Sequence, residues 1–325
     1  TISDAFEDMT SSSNTLVLDK NVTECVSTGS SLKLGTIDLN GKTWSCTESY
    51  ATLLTLGAGS DITITDNSSS VGTMTSRYNV IYISSGTLKI YKGKLISTSD
   101  IVSYYTVSAG SGTSIVIGDS SSTTSNLQLT AVAGTVINAG GSATVAINNG
   151  LIKKSGSNTT GDRSAIYATG ASSFINIYKG YIIGEGPENL IYITSGAHLT
   201  VGNSSSTIEN LKIINTKTSS AYAVYNNSSS AFIYYGGFIG SGAGSSYAYT
   251  GTTPSASNGI IVTASTTYSS TTYQGKTVAA AHIGSTYYHT LTEGIKALNS
   301  TSKTLILDSD VIECVYIEHI TAIIG

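Results

Sequence analysis

The chain has 325 residues, of which 40% are hydrophobic, and a mean hydropathy of +0.12, so it can bury a large core. Only 11% of the residues are charged, the formal net charge is −4, and Lys and Arg form no cluster, which argues against a nucleic-acid-binding surface. No apolar run reaches the roughly 18 residues that a membrane-spanning helix needs. The abundance of Ser, Thr, Gly, Asn and Tyr is typical of extracellular solenoid proteins and predicts an extracellular location.

The first ten residues predict a short capping helix. Ile2, Phe6 and Met9 recur at helical spacing, and Thr1 with Asp4 can cap the first turn. Such a helix would cover the open end of a β-structure, whose exposed edge otherwise pairs with other chains.

Three cysteines are an odd number, and two of them lie close in sequence. Cys25 and Cys46 are 21 residues apart, about one short turn of a solenoid, so we expect them to be stacked neighbours. They can form a disulfide if their Cα atoms come within about 7 Å. The alternative is a pair of buried free thiols, which is the interpretation preferred from the sequence.

A short aliphatic phrase recurs along the middle of the chain, at steps that average about 28 residues. Its aligned positions are Ile64, Ile90, Ile117, Ile147, Ile177, Val201 and Tyr234. Apolar Leu88 and Ile90 flank polar Lys89, which is the period of a β-strand. The pattern predicts an all-β fold, a right-handed parallel β-helix of about nine turns over residues 15–250. An antiparallel sandwich is the competing fold, but its strands do not normally repeat a turn motif at constant register.

The second residue after each aligned position defines a column at the predicted turns. Its members are Asp66, Lys92, Asp119, Asn149, Lys179 and Asn203. The structural interpretation is a column of charges and amides that hydrogen-bond up and down the stack. Asp66 and Asp119 are also candidates for a weak cation site or a catalytic pair, but two steps of about 4.8 Å place them about 10 Å apart. That distance is at the upper limit for the two catalytic carboxylates of an inverting glycosidase. A calcium ion needs more oxygen ligands than these two residues offer.

Tyrosine is in excess, with 21 residues in the chain. One predicted outward column holds Tyr82, Tyr167, Tyr192 and Tyr225, with Thr106 and Asn138 between them, and a second holds Tyr91, Tyr178 and Tyr235. Exposed aromatic faces suit sugar rings and protein partners, so these columns are the candidate ligand-binding surface. The alternative is simple stacking between neighbouring turns. Lys92 and Lys179 lie beside the second column, where we expect cation–π contacts.

The two ends of the chain repeat each other. Residues 1–26 align without a gap with residues 290–315, with eleven of the 26 positions identical, and Cys25 aligns with Cys314. Thr290 and Glu293 have the spacing of a capping box before a helical pattern. We therefore predict a capped β-helix over residues 1–250, a final turn and connector over 251–278, and the cap and first strands of a second unit over 279–325. The incomplete unit would leave apolar residues exposed unless it docks, namely Leu305, Ile306, Val315 and Ile323.

One family resemblance rests on the run HIGSTYYHTLTEGIKALNSTSKTLILDSDVIECV and on TIDLNGKTW at 36–44. These segments resemble the opening of repeat units in large Gram-positive cell-surface proteins with pectate-lyase-like β-helices, which begin with an "IG..Y.TL.EAI" helix and a "DLNGKT" strand. The resemblance covers about 80 residues. It implies a secreted, wall-attached or filamentous protein with an adhesive or structural role.

The functional hypothesis is a non-catalytic structural or adhesive surface module whose units join head to tail. No Ser-His-Asp order, zinc-binding spacing or phosphate-binding loop is present, so we expect no enzyme activity, no metal and no cofactor. The expected partners are a neighbouring unit or an identical subunit, together with a glycan or protein of a host or cell surface. The alternative is a carbohydrate-binding or carbohydrate-active β-helix, such as a polysaccharide lyase or hydrolase.

Overall fold

The three-dimensional structure is a computed structural model. It describes residues 1–156, 164–203, 205–206, 210–217, 222–227, 232–234, 236–241, 247–250, 258–261, 266–268, 271–273, 281–284, 286–288, 291–299, 301 and 304–307. Within these ranges the chain contains two short helices, α1 (Ile2–Glu7) and α2 (Leu291–Ala297). The strands stack as a parallel β-solenoid of about eight turns, which confirms the predicted fold class.

Three parallel sheets run along the solenoid, and strand labels follow chain order. Sheet A contains β1 (Thr10–Val17), β4 (Leu34–Asp38), β7 (Ser60–Thr65), β10 (Gly86–Ile90), β13 (Thr113–Ile117), β16 (Thr144–Ile147), β19 (Phe174–Ile177), β22 (His198–Val201) and β25 (Phe232–Tyr234). Sheet B contains β2 (Val22–Thr23), β5 (Thr43–Cys46), β8 (Thr73–Ser76), β11 (Gly93–Ser97), β14 (Leu127–Ala131), β17 (Leu151–Lys154), β20 (Gly180–Gly184), β23 (Leu211–Asn215), β26 (Gly236–Ser241) and β28 (Asn258–Ile261). Sheet C contains β3 (Val26–Ser27), β6 (Leu54–Leu56), β9 (Ile81–Ile83), β12 (Tyr105–Ala109), β15 (Thr135–Ala139), β18 (Ile166–Thr169), β21 (Asn189–Thr194), β24 (Tyr222–Asn227) and β27 (Tyr247–Thr250).

The register of sheet A follows the recurring aliphatic phrase. Ile64 pairs with Ile90, and Ile90 pairs with Ile117. The same register continues through Ile147, Ile177, Val201 and Tyr234. The alignment made from the sequence is therefore the physical register of the sheet.

Inward columns of aliphatic side chains form the core. In sheet A, Ile62 and Leu88 are fully buried one above the other, while the intervening Thr63 and Lys89 face outward and keep partial exposure. One turn cannot shield such residues from water on both sides, so burial requires the turns above and below.

Helix α1 closes the N-terminal end of this core. The side chain of Thr1 accepts a hydrogen bond from the Asp4 N–H at 3.1 Å, and the Asp4 carboxylate accepts one from the N-terminal amino group at 3.0 Å, which completes a capping box. Ile2 and Phe6 are buried, and the Phe6 ring centroid lies 6.2 Å from that of Trp44. The capping helix predicted over residues 1–10 is confirmed.

Glu24 fastens α1 to the solenoid. Its carboxylate accepts hydrogen bonds from the backbone N–H of Ile2 at 2.8 Å and of Ser3 at 2.9 Å, and from Ser3 Oγ at 2.5 Å. The first N–H groups of a helix have no partner within the helix, and the helix dipole favours a carboxylate there. Burial opposes the ionisation of Glu24, but the hydrogen bonds and the N-terminal ammonium together lower its pKa below the ordinary value.

Cys25 and Cys46 form a disulfide, with Cα atoms 5.0 Å apart. The preference for free thiols was wrong. The backbone N–H of Glu24 donates to the carbonyl of Ser45 at 2.9 Å, which sets the two following cysteines side by side. The bond joins the first turn of the solenoid covalently to the second.

Beyond residue 250, β28 extends sheet B in the segment where the sequence predicts a final turn. A fourth sheet, D, contains β29 (Thr266–Tyr268), β30 (Thr271–Tyr273), β31 (Ala281–Ile283), β32 (Thr286–Tyr288) and β33 (Ile306–Leu307). Ile306 is 49% exposed. Thr290 of the predicted capping pair lies outside the described residues, as do Val315 and Ile323.

Candidate functional site

The first tyrosine column lies on the outer face of sheet C. Tyr167, Tyr192 and Tyr225 are aligned in β18, β21 and β24, and Tyr82 occupies the same register in β9. Their strand neighbours, such as Ile191, are fully buried, so the tyrosines point outward as predicted.

Ser108 and Asn138 fill the column between Tyr82 and the other tyrosines. The assignment of Thr106 to this position was wrong, because Tyr82 pairs with Ser108. Thr106 is buried, and its hydroxyl donates to the carbonyl of Thr130 at 2.7 Å. Asn138 Nδ2 donates to Ser108 Oγ at 3.1 Å, so a polar pair separates Tyr82 from the rest of the column.

Three tyrosines of this column form a continuous stack. The ring centroids of Tyr167 and Tyr192 are 5.5 Å apart with an interplanar angle of 10°, and those of Tyr192 and Tyr225 are 5.0 Å apart at 22°. Tyr222 adds an edge-on contact to Tyr225 at 5.4 Å. The ring spacing is close to that of neighbouring strands, about 4.8 Å, so strand stacking dictates ring stacking.

The stack covers the ring faces that a sugar would need. Tyr192, in the middle, keeps only 9% of its surface exposed, whereas the isolated Tyr82 keeps 37%. Rings stacked along the solenoid present their edges and hydroxyl groups to solvent, while sugar rings pack on aromatic faces. The geometry favours contact between turns over a flat binding platform.

The second column is less exposed than predicted. Tyr91 and Tyr178 are half-buried, and Tyr235 lies outside the described residues. Both tyrosines precede a Lys-Gly pair that leads into sheet B. Their backbone carbonyls accept hydrogen bonds from the hydroxyl groups of Ser122 and Ser206.

Charged side chains were expected to contact this second column. Within the described residues, the cation–π contact instead lies on sheet B, where Lys212 Nζ is 5.3 Å from the ring centroid of Tyr181. Lys92 and Lys179 are half-buried at the start of the turn into sheet B.

Asp66 organises its turn through backbone hydrogen bonds. Its carboxylate accepts N–H groups from Gly41 at 2.8 Å, Ser68 at 3.3 Å and Gly72 at 2.5 Å. Gly41 belongs to the preceding turn, so this part of the column bonds between turns as the structural interpretation predicts. The carboxylate oxygens are engaged by the protein backbone.

Two turns of the column are duplicates that sequence reasoning missed. They are GDSSSTTSNL at 118–127 and GNSSSTIENL at 202–211, and each follows a turn that contains IYKG. Ser122 Oγ donates to the carbonyl of Tyr91 at 2.6 Å, and Ser206 Oγ donates to the carbonyl of Tyr178 at 2.5 Å. The recurrence of IYKG therefore has a structural cause, since each copy meets the same serine turn.

Asp119 and Asn203 hold these serine turns in shape. Asp119 accepts hydrogen bonds from Ser121 N–H and Oγ, both at 2.8 Å, and Asn203 makes equivalent contacts in its own turn. Asn149 Nδ2 donates to the Ser122 carbonyl at 2.6 Å across the stack. Burial opposes ionisation of Asp119, but its hydrogen bonds with Ser121 and Ser122 outweigh burial and lower its pKa, the opposite of what a general acid requires.

A further aromatic cluster also escaped the sequence analysis. Tyr78 lies between Tyr50 and Tyr104, with centroid distances of 5.2 Å and 4.8 Å. Their steps of 28 and 26 residues match the solenoid period, which is the signal that would have found them. Partial burial is the main cause that raises the pKa of Tyr104, and the neighbouring Tyr50 and Tyr78 raise it further. Tyr50 is 74% exposed and makes this cluster a candidate contact surface.

Lys154 is a fully buried lysine at the end of β17. It lies in register between Ala131, whose side chain is a single methyl group, and Gly184, which has no side chain. Its ammonium donates to the carbonyls of Val132 and Gly156. Burial lowers the pKa of Lys154 to about 8.

Neither helix in the described ranges has the length and apolarity needed to cross a bilayer. The same ranges contain no group of three or more His, Cys, Asp or Glu side chains placed to hold a metal ion.

Comparison of the chain with protein-family models, with curated proteins and with solved structures finds no match. The relation to Gram-positive surface proteins therefore stays a resemblance between short sequence segments.

Proposed function

We propose that the chain is a non-catalytic repeat module of an extracellular bacterial surface protein, with a structural or adhesive role, whose units join head to tail. The observation that carries the proposal is a pair of helices at equivalent positions: α1 begins at Ile2 and α2 begins at Leu291, which is the offset of the sequence repeat. One cap closes the N-terminal end of the solenoid, and an equivalent helix follows the solenoid in the chain. Repetition of this order gives an alternation of solenoids and caps.

The ends of a solenoid are its natural joining surfaces. Each inner strand is paired on both sides, so unpaired backbone groups concentrate at the terminal strands. In the part of the chain that the structure describes, β1 is one terminal strand of sheet A, and β25 is the other. The sides, by contrast, carry stacked tyrosines and turns whose polar groups bond to one another.

The disulfide supports an extracellular location, because such bonds persist mainly in oxidising compartments. The test is alkylation of the denatured source protein before and after reduction. We expect Cys25 and Cys46 to be alkylated only after reduction. Alkylation of both without reductant would contradict the proposed location.

The tandem arrangement is tested by the intact mass of the source polypeptide under denaturing conditions. We expect several times the 33.5 kDa of this chain. A value near 33.5 kDa would rule out a tandem array in one polypeptide and leave assembly of separate chains as the way in which units join.

A carbohydrate-binding or carbohydrate-active role is the second candidate, favoured by the exposed rings of Tyr50 and Tyr82. A glycan array, together with an assay for polysaccharide cleavage, tests it. We expect neither binding nor cleavage. Binding that is lost in Tyr50→Ser or Tyr82→Ser would establish a binding module in place of a purely structural one.

A further inference from the structure

Three tyrosines are neighbours at the corner of the solenoid between sheets B and C. Tyr50 precedes β6, Tyr78 precedes β9 and Tyr104 precedes β12, so they belong to the second, third and fourth turns. The ring centroids of Tyr50 and Tyr78 are 5.2 Å apart with an interplanar angle of 34°, and those of Tyr78 and Tyr104 are 4.8 Å apart at 74°. Aromatic rings at these distances are in contact. The cluster therefore connects three consecutive turns through phenol groups.

Tyr50 is the accessible member of this cluster. It is 74% exposed, whereas its neighbour Tyr78 keeps only 7% of its surface exposed. The backbone of Tyr50 has a φ of 63°, in the left-handed region that a bulky side chain rarely adopts. Such a conformation costs free energy, persists only where the surrounding structure holds it, and is concentrated at functional sites. The protein thus holds an exposed phenol ring against a buried one.

The hydroxyl ends of the three rings lie near one another. Partial burial is the main cause that raises the pKa of Tyr104, and the next causes are Tyr50 and Tyr78. Repulsion between the ionised oxygens has this effect only over short distances. In a tyrosyl radical, the unpaired electron is shared between the oxygen and the ring carbons ortho to it. Neighbouring hydroxyl ends therefore bring together the carbons at which two such radicals couple.

Other readily oxidised side chains at this end of the solenoid are protected. Trp44, which is the one tryptophan of the chain, and Met74 are fully buried. Cys25 and Cys46 are already joined in a disulfide. Susceptibility to oxidation follows exposure as well as reactivity. An oxidant in the solvent therefore meets Tyr50 before it meets any of these groups.

We propose that Tyr50 and Tyr78 form an oxidative cross-linking site, at which a haem peroxidase with hydrogen peroxide joins the two rings by a carbon–carbon bond. Each ring gives up one electron and one proton and becomes a phenoxyl radical. The two radicals couple through carbons ortho to their oxygens, and the two ortho hydrogens then move to the oxygens as protons, which restores both phenols. In sum, two tyrosines and one hydrogen peroxide give one dityrosine and two molecules of water.

The buried Tyr78 does not have to meet the peroxidase itself. Tyr50 is oxidised first at the surface, and Tyr78 then reduces the Tyr50 radical by transferring one electron and one proton to it across the 5.2 Å ring contact. A second oxidation of Tyr50 leaves two radicals in contact. The exposed ring thus serves both as the entry point of oxidation and as one half of the product.

The new bond continues a covalent line along this corner. The Cys25–Cys46 disulfide joins the first turn to the second, and Tyr50 lies four residues after Cys46 in that second turn. A bond between Tyr50 and Tyr78 joins the second turn to the third. This chemistry does not depend on how units join head to tail, so it goes beyond the proposed function without resting on it.

The experiment treats the full chain, at high dilution, with a haem peroxidase and limiting hydrogen peroxide. Reduction, alkylation and digestion with trypsin follow. Trypsin cleaves after Arg77, which places Tyr50 in the peptide 43–77, as its one tyrosine, and Tyr78 in the peptide 78–89. We expect these two peptides as a linked pair, lighter than their sum by two hydrogen atoms and with the fluorescence of dityrosine. We expect the oxidised chain to remain monomeric on a denaturing gel.

Phenylalanine variants assign the bond to its two residues. Tyr50→Phe and Tyr78→Phe keep the ring contacts but cannot form phenoxyl radicals, so we expect each to abolish the linked pair. Tyr82→Phe is the matched control, because Tyr82 shares the peptide 78–89 with Tyr78 but lies beside Ser108 in its own column. We expect this control to keep the full yield of the linked pair. The thermal unfolding curve of each variant checks that it is folded.

Three results would overturn the site. They are the absence of the linked pair from the oxidised wild type, its presence only in covalent dimers, and its loss in Tyr82→Phe instead of Tyr78→Phe. The mass of the source polypeptide, which tests the head-to-tail function, plays no part in this experiment. Failure of the cross-linking site is therefore distinguishable from failure of the proposed function.

Discussion

The carboxylate of Glu24 accepts a hydrogen bond from the backbone N–H of Ile2 at 2.8 Å, so the residue that precedes a disulfide cysteine also caps the first helix. The same carboxylate binds Ser3. At the other end of the chain, the sequence repeat keeps the glutamate and the cysteine as Glu313 and Cys314. The helix cap and the disulfide therefore depend on two adjacent residues, Glu24 and Cys25.

We expect Glu24→Gln to lower the free energy of unfolding by about 1 kcal/mol at pH 7, because a neutral amide is a weaker cap. The pKa of Glu24 is lowered in the folded state, so its contribution is present above the ordinary value of 4.5 and is lost as pH falls through the lowered pKa. Urea unfolding at several pH values measures both effects. The control is Glu48→Gln, at an exposed position, and an equal effect of the two substitutions would contradict the role of Glu24.

We expect Ser122→Ala and Ser206→Ala each to lower the free energy of unfolding by about 1–2 kcal/mol, because each substitution leaves a tyrosine carbonyl without its hydroxyl donor. The two turns are three steps apart, about 14 Å, so the effects should add in the double variant. Ser120→Ala, in the same serine run but exposed, is the matched control and should be nearly neutral. Strong non-additivity in urea unfolding would count against independent turns.

Tyr192→Ser should destabilise the solenoid more than Tyr82→Ser. Tyr192 stacks on two rings, and each such pair contributes about 0.5–1.5 kcal/mol beyond surface burial, whereas Tyr82 lies beside Ser108. Serine suits both positions because Ser108 already occupies the column. Equal losses of unfolding free energy would show that ring stacking contributes little.

Lys154 should make stability depend on pH in the alkaline range. Its pKa is about 8 in the folded chain and has an ordinary value of 10.5, so the unfolded chain binds more protons between these values. The free energy of unfolding contributed by this group therefore rises from about pH 8 to pH 10.5. The difference between the wild type and Lys154→Met isolates this rise from the titration of tyrosines, and a difference that does not change with pH would contradict the burial of the charge.

The register of the solenoid was predictable because strict alternation of Ile, Leu and Val with polar residues allows one alignment of successive strands. A slip of one residue would turn Leu88 and Ile90 outward. The helix at the N-terminus was predictable for a similar reason, since Thr1 and Asp4 carry a local signal that needs no distant contact.

The disulfide, the position of Thr106 and the hydrogen bond of Ser122 were not predictable, because they depend on atomic contacts between neighbouring turns. The disulfide follows from the hydrogen bond of Glu24 to Ser45, and the error at Thr106 came from a turn whose length the strand pattern does not fix. The hydroxyl of Ser122 finds its acceptor 31 residues away, and no local pattern indicates that contact.

The Cys25–Cys46 bond decides how the N-terminal end of the molecule carries mechanical load. When tension is applied to the two ends of the chain, force passes from Cys25 directly to Cys46, and the residues between them bear none of it. About 70 Å of extended chain is thereby withheld from stretching. Reduction of the bond would release this length, so the redox state of the surroundings sets how far the first turns can extend under load.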